Sequence, residues 1–288
     1  MELKHIETKL ARATTLPILP HVVTQLLALT EDMNASARDY ERLIIQDAAV
    51  AAKILRTANS TYFGGNGQIT SLRRALTQVG NNTLRSICLT VSLQSALNSK
   101  TLSKSFNPGN FWLHSMAVAC ASKVIACLVH DTHEEEAFVS GLVHDIGKLA
   151  LCMFLPQEAE CVYKLMKSEN LSQFDAELDL IGVTHQDIGL MAAQGWQLPE
   201  IYLQPIARHH NPVDNEGEND GESNRLAAYV HVGNAIAHQI GLGFEPTGTP
   251  QDADPIVLAQ LGISEQQYEL VRNVIANEVQ KMSSQMGL

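Results

Sequence analysis

Helical periodicity without strand alternation is the feature that most limits what this chain can fold into. Apolar residues return every third or fourth position in one segment after another: Val22, Val23, Leu26 and Leu27; Tyr40, Leu43 and Ile44; Val50, Ile54 and Leu55; Leu72, Ala75, Leu76 and Val79; Leu226, Val230 and Ile236. That spacing puts each set on one face of a 3.6-residue helix. No stretch alternates apolar and polar residues with the period of two that a half-buried strand requires, and no repeat or sustained heptad appears. Stripes of this kind are buried helix against helix, so an all-α fold is expected. The apolar mass agrees: 45% of residues are hydrophobic but only 5% aromatic.

Capping residues divide the helices. Ser36 with Asp39, Ser172 with Asp175 and Thr184 with Asp187 have capping-box spacing, and Asp47 reads as a further cap. Asn107-Pro108 supplies a cap followed by a first-turn proline. Glu134, Glu135 and Glu136 complement a helix dipole, while Gly80 and Gly195 read as helix ends. Leu16-Pro17-Ile18-Leu19-Pro20 reads as extended, because each proline restricts itself and its predecessor. Helices are predicted from Ser71, over 82–97, from Asn107 past Ile125, from Glu134 through His144, Asp145 and Ile146, over 157–168, from Pro199 to His210, over 224–239 and over 264–282. Residues 214–223 read as an exposed acidic loop and 241–255 as a Gly/Pro/Thr-rich connection.

The chain has 31 acidic and 20 basic residues, a net charge of −11. That field repels phosphate backbones, so nucleic acid is not expected as a partner. No signal peptide is recognisable, and apolar runs such as Leu149–Leu155 fall short of the roughly 20 residues of a membrane helix, so no membrane is expected either. Cys88, Cys120, Cys127, Cys152 and Cys161 sit within apolar helical patterns and read as reduced packing residues, which implies a cytoplasmic location.

Six residues of the middle third carry metal chemistry: His114, the pair His144-Asp145, His185, and the pair His209-His210. Neutral imidazoles and a carboxylate, gathered from rigid elements, are what a transition-metal site requires. Within an adjacent pair on a helix, side chains diverge by about a third of a turn, so one pair can serve two ions.

Gly141-Leu142-Val143-His144-Asp145-Ile146-Gly147-Lys148-Leu149 resembles the defining segment of the HD superfamily of metal-dependent phosphohydrolases, and Trp112-Leu113-His114-Ser115 resembles its first histidine. His185 and His209-His210 resemble the extra histidines of the HD-GYP branch, which hydrolyses cyclic di-GMP. Leu16-Pro17-Ile18-Leu19-Pro20, Ile44-Ile45-Gln46-Asp47, Leu55-Arg56-Thr57-Ala58-Asn59-Ser60 and Ala75-Leu76-Thr77-Gln78-Val79-Gly80 are similar, in order and separation, to the HDOD family over about residues 12–212. The resemblance implies an HD-superfamily helical bundle at 101–240, preceded by an N-terminal helical subdomain at 12–100 and followed by a C-terminal helical extension at 241–288. It implies a bacterial-type signalling protein that binds a partner protein and retains a histidine-rich metal site, with little or no catalysis. The alternative is a phosphohydrolase acting on a phosphomonoester or cyclic dinucleotide, with a nucleotide or phosphoester as ligand.

Departures from the HD pattern bear on that choice. The superfamily's last metal-binding aspartate is expected between Ala228 and Asn234, where no Asp occurs; His231 takes that place, with Asn234 and His238 on the same face. Asn211-Pro212-Val213 stands where HD-GYP proteins carry Gly-Tyr-Pro, and Asn110 where some carry a third-metal carboxylate. The expected ligands are therefore His114, His144, Asp145, His185, His209, His210 and His231, holding one or two ions of iron, manganese, zinc or nickel. Asp145 is the one certain anion among them, which favours a single ion. Two readings of Lys148 stay open: protonation of a leaving group, or a solvated side chain one turn past the pair.

Overall fold

The computed structural model describes residues 102–196, 198–212, 221–243 and 252–286, together with 35–45 and single helical positions among residues 25–91. The chain divides into two compact units, one Pro17–Asn98 and the other Ser99–Leu288 with Met1–Leu16. Every regular element among the described residues is a helix, so the fold is all-α.

In the first unit, α1 is Ala37–Ile44. Its capping pair is as the sequence spaced it: Ser36 N donates to Asp39 Oδ2 at 2.9 Å. Tyr40 and Ile44 turn inward, one turn apart on a buried face, and the Tyr40 hydroxyl donates to Leu29 O at 3.2 Å. Ile54, Leu84, Ile87 and Val91 are also buried. The expectations at Leu16–Pro20, Asp47, Ser71 and Gly80 lie outside the described residues.

The second unit is built on α2, Pro108–Leu128, whose cap Asn107 accepts from Asn110 N at 3.0 Å. Residues all round α2 are buried, as in a helix enclosed by others. α3 (Glu134–Val143) and α9 (Glu222–Gln239) pack on it, and α11 (Glu265–Met286) covers a further side with Tyr268, Val271, Ile275 and Val279. Gly141 makes the α3 approach close: a Cβ there would lie 2.7 Å from Ala119 Cα and N. α4 (Ile146–Phe154) packs on α7 (His185–Gly195), α5 (Pro156–Glu169) on α6 (Gln173–Ile181), and α8 (Leu203–Arg208) on α7 and α9.

Several boundaries differ from those expected. The helix from Glu134 does not run through His144; it ends at Val143 and α4 begins at Ile146. The helix from Pro199 is a 3-10 turn at Glu200–Tyr202 that passes into the short α8. A further helix not expected from the sequence is α10, Pro255–Gln260, whose Asp254 cap accepts from Ile256 N at 2.8 Å. Against the expectation from apolar runs, Pro108–Leu128 and Glu134–Phe154 are long and apolar enough to cross a membrane by length and composition. Of their apolar windows, 72% and 89% are buried against the rest of the chain, as in core helices of a globular protein.

Candidate metal centre

Five helices bring the histidines and the aspartate together. His114 is two turns into α2, and its Nδ1 faces Leu242 O at 3.0 Å. His144 and Asp145 form the break between α3 and α4, which corrects the expectation of a pair in mid-helix. His144 keeps helical dihedrals and its Nδ1 faces Gly141 O at 2.8 Å. Asp145, at φ −96° and ψ 16°, is the N-cap residue of α4, but its carboxylate makes no cap hydrogen bond. The break lets the carboxylate turn inward, away from the amides an aspartate at this position usually caps.

His185 enters from the first turn of α7, which the Thr184–Asp187 capping box fixes: Thr184 N donates to Asp187 Oδ2 at 2.8 Å. α4 and α7 meet at Gly147, where a Cβ would fall 1.8 Å from His185 O. Only a glycine allows that contact, and it sets Asp145 beside His185. His209 follows α8, with its Nδ1 3.1 Å from both Pro205 O and Ile206 O.

These partners decide the tautomers. A carbonyl oxygen can only accept, so Nδ1 of His114, His144 and His209 donates. His185 Nδ1 likewise donates to the buried Glu177 Oε2 at 2.7 Å. In a neutral ring so placed, Nε2 keeps the lone pair, and all four Nε2 atoms face Asp145. Asp145 Oδ2 lies 3.5 Å from His114 Nε2 and 3.3 Å from His144 Nε2. Oδ1 lies 3.6 Å from His185 Nε2 and 3.5 Å from His209 Nε2. His210 Nε2 closes on His185 Nε2 at 3.0 Å.

Such an assembly of acceptors could hold a cation. His114 Nε2, His144 Nε2 and both Asp145 oxygens are buried without a hydrogen-bond partner, although the Lys148 ammonium forms an ion pair with Oδ2 at 2.9 Å. Donor separations of 3.3–3.6 Å match the edge of roughly 3.4 Å in a tetrahedral shell with bonds of about 2.1 Å. The ionisation states fit as well. Burial pushes the His144, His209 and His210 imidazoles down, His209 and His210 well below their ordinary value, so they stay neutral. Burial would push the Asp145 carboxyl up, yet it is held well below the usual carboxylate range, with the buried Lys148 ammonium against it. The donors form two groups able to hold an ion, His185–His209–His210 and His114–His144–Asp145.

His231 is placed differently from the expectation. Its Nδ1 donates to His209 O at 2.9 Å and its Nε2 accepts from Asp254 N at 3.1 Å. Both ring nitrogens are thus engaged by backbone groups, His209 O and Asp254 N. Lys148 is not solvated but 2% exposed. Two further buried residues stand beside these. Glu177, fully buried, accepts from His185 N and from Gln173 Nε2, each at 2.6 Å, in addition to the ring. Asn234 is buried with an unpartnered Oδ1, on the α9 face that carries His231 against His209 and His238 against the His114 ring. Its i+3 spacing from His231 was legible; no local signal marks Glu177.

The HDOD domain profile matches residues 16–212, more than half of the chain. The chain belongs to the HDOD family. A curated relative from Treponema pallidum (strain Nichols), an uncharacterized protein, is 24% identical over 222 residues, which make up 73% of this chain. The match spans only 42% of that relative's length. Among solved structures, this HDOD chain is similar to an HDOD domain protein of unknown function from Geobacter sulfurreducens, with a TM-score of 0.77, 24% identity and 97% of each chain covered. A candidate signal transduction protein from Marinobacter aquaeolei VT8 gives 0.75 at 20% identity, with 96% of this chain and 60% of that one covered. A candidate phosphohydrolase from Shewanella amazonensis SB2B gives 0.69 at 22%, with 95% and 93% covered. At these identities the likeness is one of fold.

Proposed function

We propose that this HDOD protein is a signalling module that binds a partner protein, holds a transition metal as part of its architecture, and has little or no catalytic activity. One observation carries the reading. His114, His144, Asp145, His185 and His209 are each at most 1% exposed, and their one carboxylate is paired with a buried ammonium. Metal sites closed in this way are structural, whereas catalytic sites keep a position open for water or substrate. A bound ion would tie α2, the α3–α4 break, α7 and the segment after α8 to one another. Metal hydrolysis of a phosphoester needs charge shared with the phosphoryl oxygens and a water of lowered pKa, and these five donors present almost no exposed surface to either. Iron, manganese, zinc and nickel all suit imidazole-dominated donors; magnesium and calcium do not. The same reading puts the protein in the cytoplasm, with neither nucleic acid nor membrane as partner.

Elemental analysis of protein purified without added metal or a nickel column tests the first part; bound transition metal is expected. Turnover assays with a phosphomonoester, a phosphodiester and cyclic di-GMP test the second, with rates at the buffer background expected. Turnover well above background that disappears in Asp145→Ala would establish the phosphohydrolase instead.

A further inference from the structure

We propose that Lys148 is a built-in cation that replaces a second metal ion, so that the centre holds one divalent ion, on the His185–His209–His210 side of Asp145. The inference rests on the metal-holding reading above and makes it specific. Asp145 spans the two donor groups unequally. Its Oδ1 faces His185 and His209, at 3.6 and 3.5 Å, with no ammonium paired to it among the described residues. Its Oδ2 faces His144 and His114, at 3.3 and 3.5 Å, and is also the oxygen paired with Lys148 Nζ at 2.9 Å. An ion bound through Oδ2 would share that oxygen with a positive charge in a buried setting, where like charges are weakly screened.

The ammonium cannot readily withdraw. Lys148 is 2% exposed, and its backbone N donates to Asp145 O at 2.9 Å, so the pair is locked across one turn at the start of α4. Charge points the same way. Asp145 and Glu177 supply two negative charges and Lys148 one positive, so a single divalent ion leaves one net positive charge and a second would leave three. The anions are also unevenly placed: Glu177 backs His185, whereas His114 and His144 lean on the neutral carbonyls of Leu242 and Gly141. A carboxylate behind an imidazole raises its basicity as a ligand. Access agrees, since His210 is partly exposed while His114 and His144 are buried.

The test is stoichiometry, read by cobalt(II) titration and elemental analysis of the full chain. The wild type and Lys148→Arg should each bind one equivalent, and Lys148→Met, which keeps the length and removes the charge, should bind two. Two equivalents in the wild type, or one in a folded Lys148→Met, would overturn the proposal. Anomalous scattering from crystals of the metal-loaded wild type gives a check that needs no variant. One peak among His185, His209 and His210 is expected, and a peak between His114 and His144 rules the assignment out. The two readings fail separately: turnover with one ion bound removes the non-catalytic reading alone, and two ions without turnover remove this one alone. A chain that binds no metal removes both.

Discussion

Single atoms decide what the centre can hold. The Nδ1 partners of four histidines are acceptors, and this alone turns four Nε2 lone pairs onto Asp145. Asn234 is the residue where the least change should add the most. Its unpartnered amide oxygen is buried between the His231 and His238 positions of α9. Asn234→Asp introduces a second carboxylate at nearly constant volume. In the metal-free protein it buries an uncompensated charge and should lower the melting temperature. In the loaded protein it should tighten metal binding by roughly tenfold, about 1.4 kcal/mol. Competition against a chelator of known affinity measures this; equal or weaker binding would place Asn234 away from the ion.

Elements rather than residues set the spacing of the donors. α6 holds α7 through Glu177, which receives both the backbone N and the ring Nδ1 of His185. Glu177→Gln presents an amide that can accept one of these donors well but not both along with Gln173. Leaving a buried donor unmet costs about 1–3 kcal/mol. The same change should weaken metal binding by roughly 10–100-fold, since partners behind a ligating histidine matter on that scale. Chemical denaturation and metal titration read the two effects separately. A loss of stability with unchanged metal affinity would make Glu177 a packing residue only. α9 is fixed in a comparable way: Tyr229 OH donates to Asp131 Oδ2 at 2.7 Å, joining it to the turn between α2 and α3.

At the scale of the whole molecule, the cluster should make the metal-free protein acid-sensitive in the imidazole range. Burial pushes His144, His209, His210 and His231 below the ordinary value near 6.5. The unfolded chain therefore binds protons that the folded chain refuses, and stability falls as pH drops below about 6.5. Carboxylates such as Asp131, held down by Tyr229 and His133 against the opposing effect of burial, add a loss at lower pH. Melting temperatures of the metal-free protein between pH 8 and 5 should decline from about 6.5 downward. A profile flat to pH 5 would contradict buried neutral imidazoles. Bound metal should raise the whole curve, by an amount that grows with free ion concentration over Kd.

The sequence by itself determined the helical class and the places where capping boxes start helices, and it singled out the histidines and the aspartate as candidates. Those are local properties: periodicity sets which face is apolar, and Ser36–Asp39 or Thr184–Asp187 act within one turn. Tertiary structure alone decided that α3 stops before His144, because the break at Asp145 depends on Gly147 meeting the His185 carbonyl from another helix. It alone gave His231 to the His209 backbone, drew Glu177 behind His185, and buried Lys148 against Asp145. Each depends on atoms far apart in the chain, and sequence spacing carries no information on what a side chain meets once helices pack.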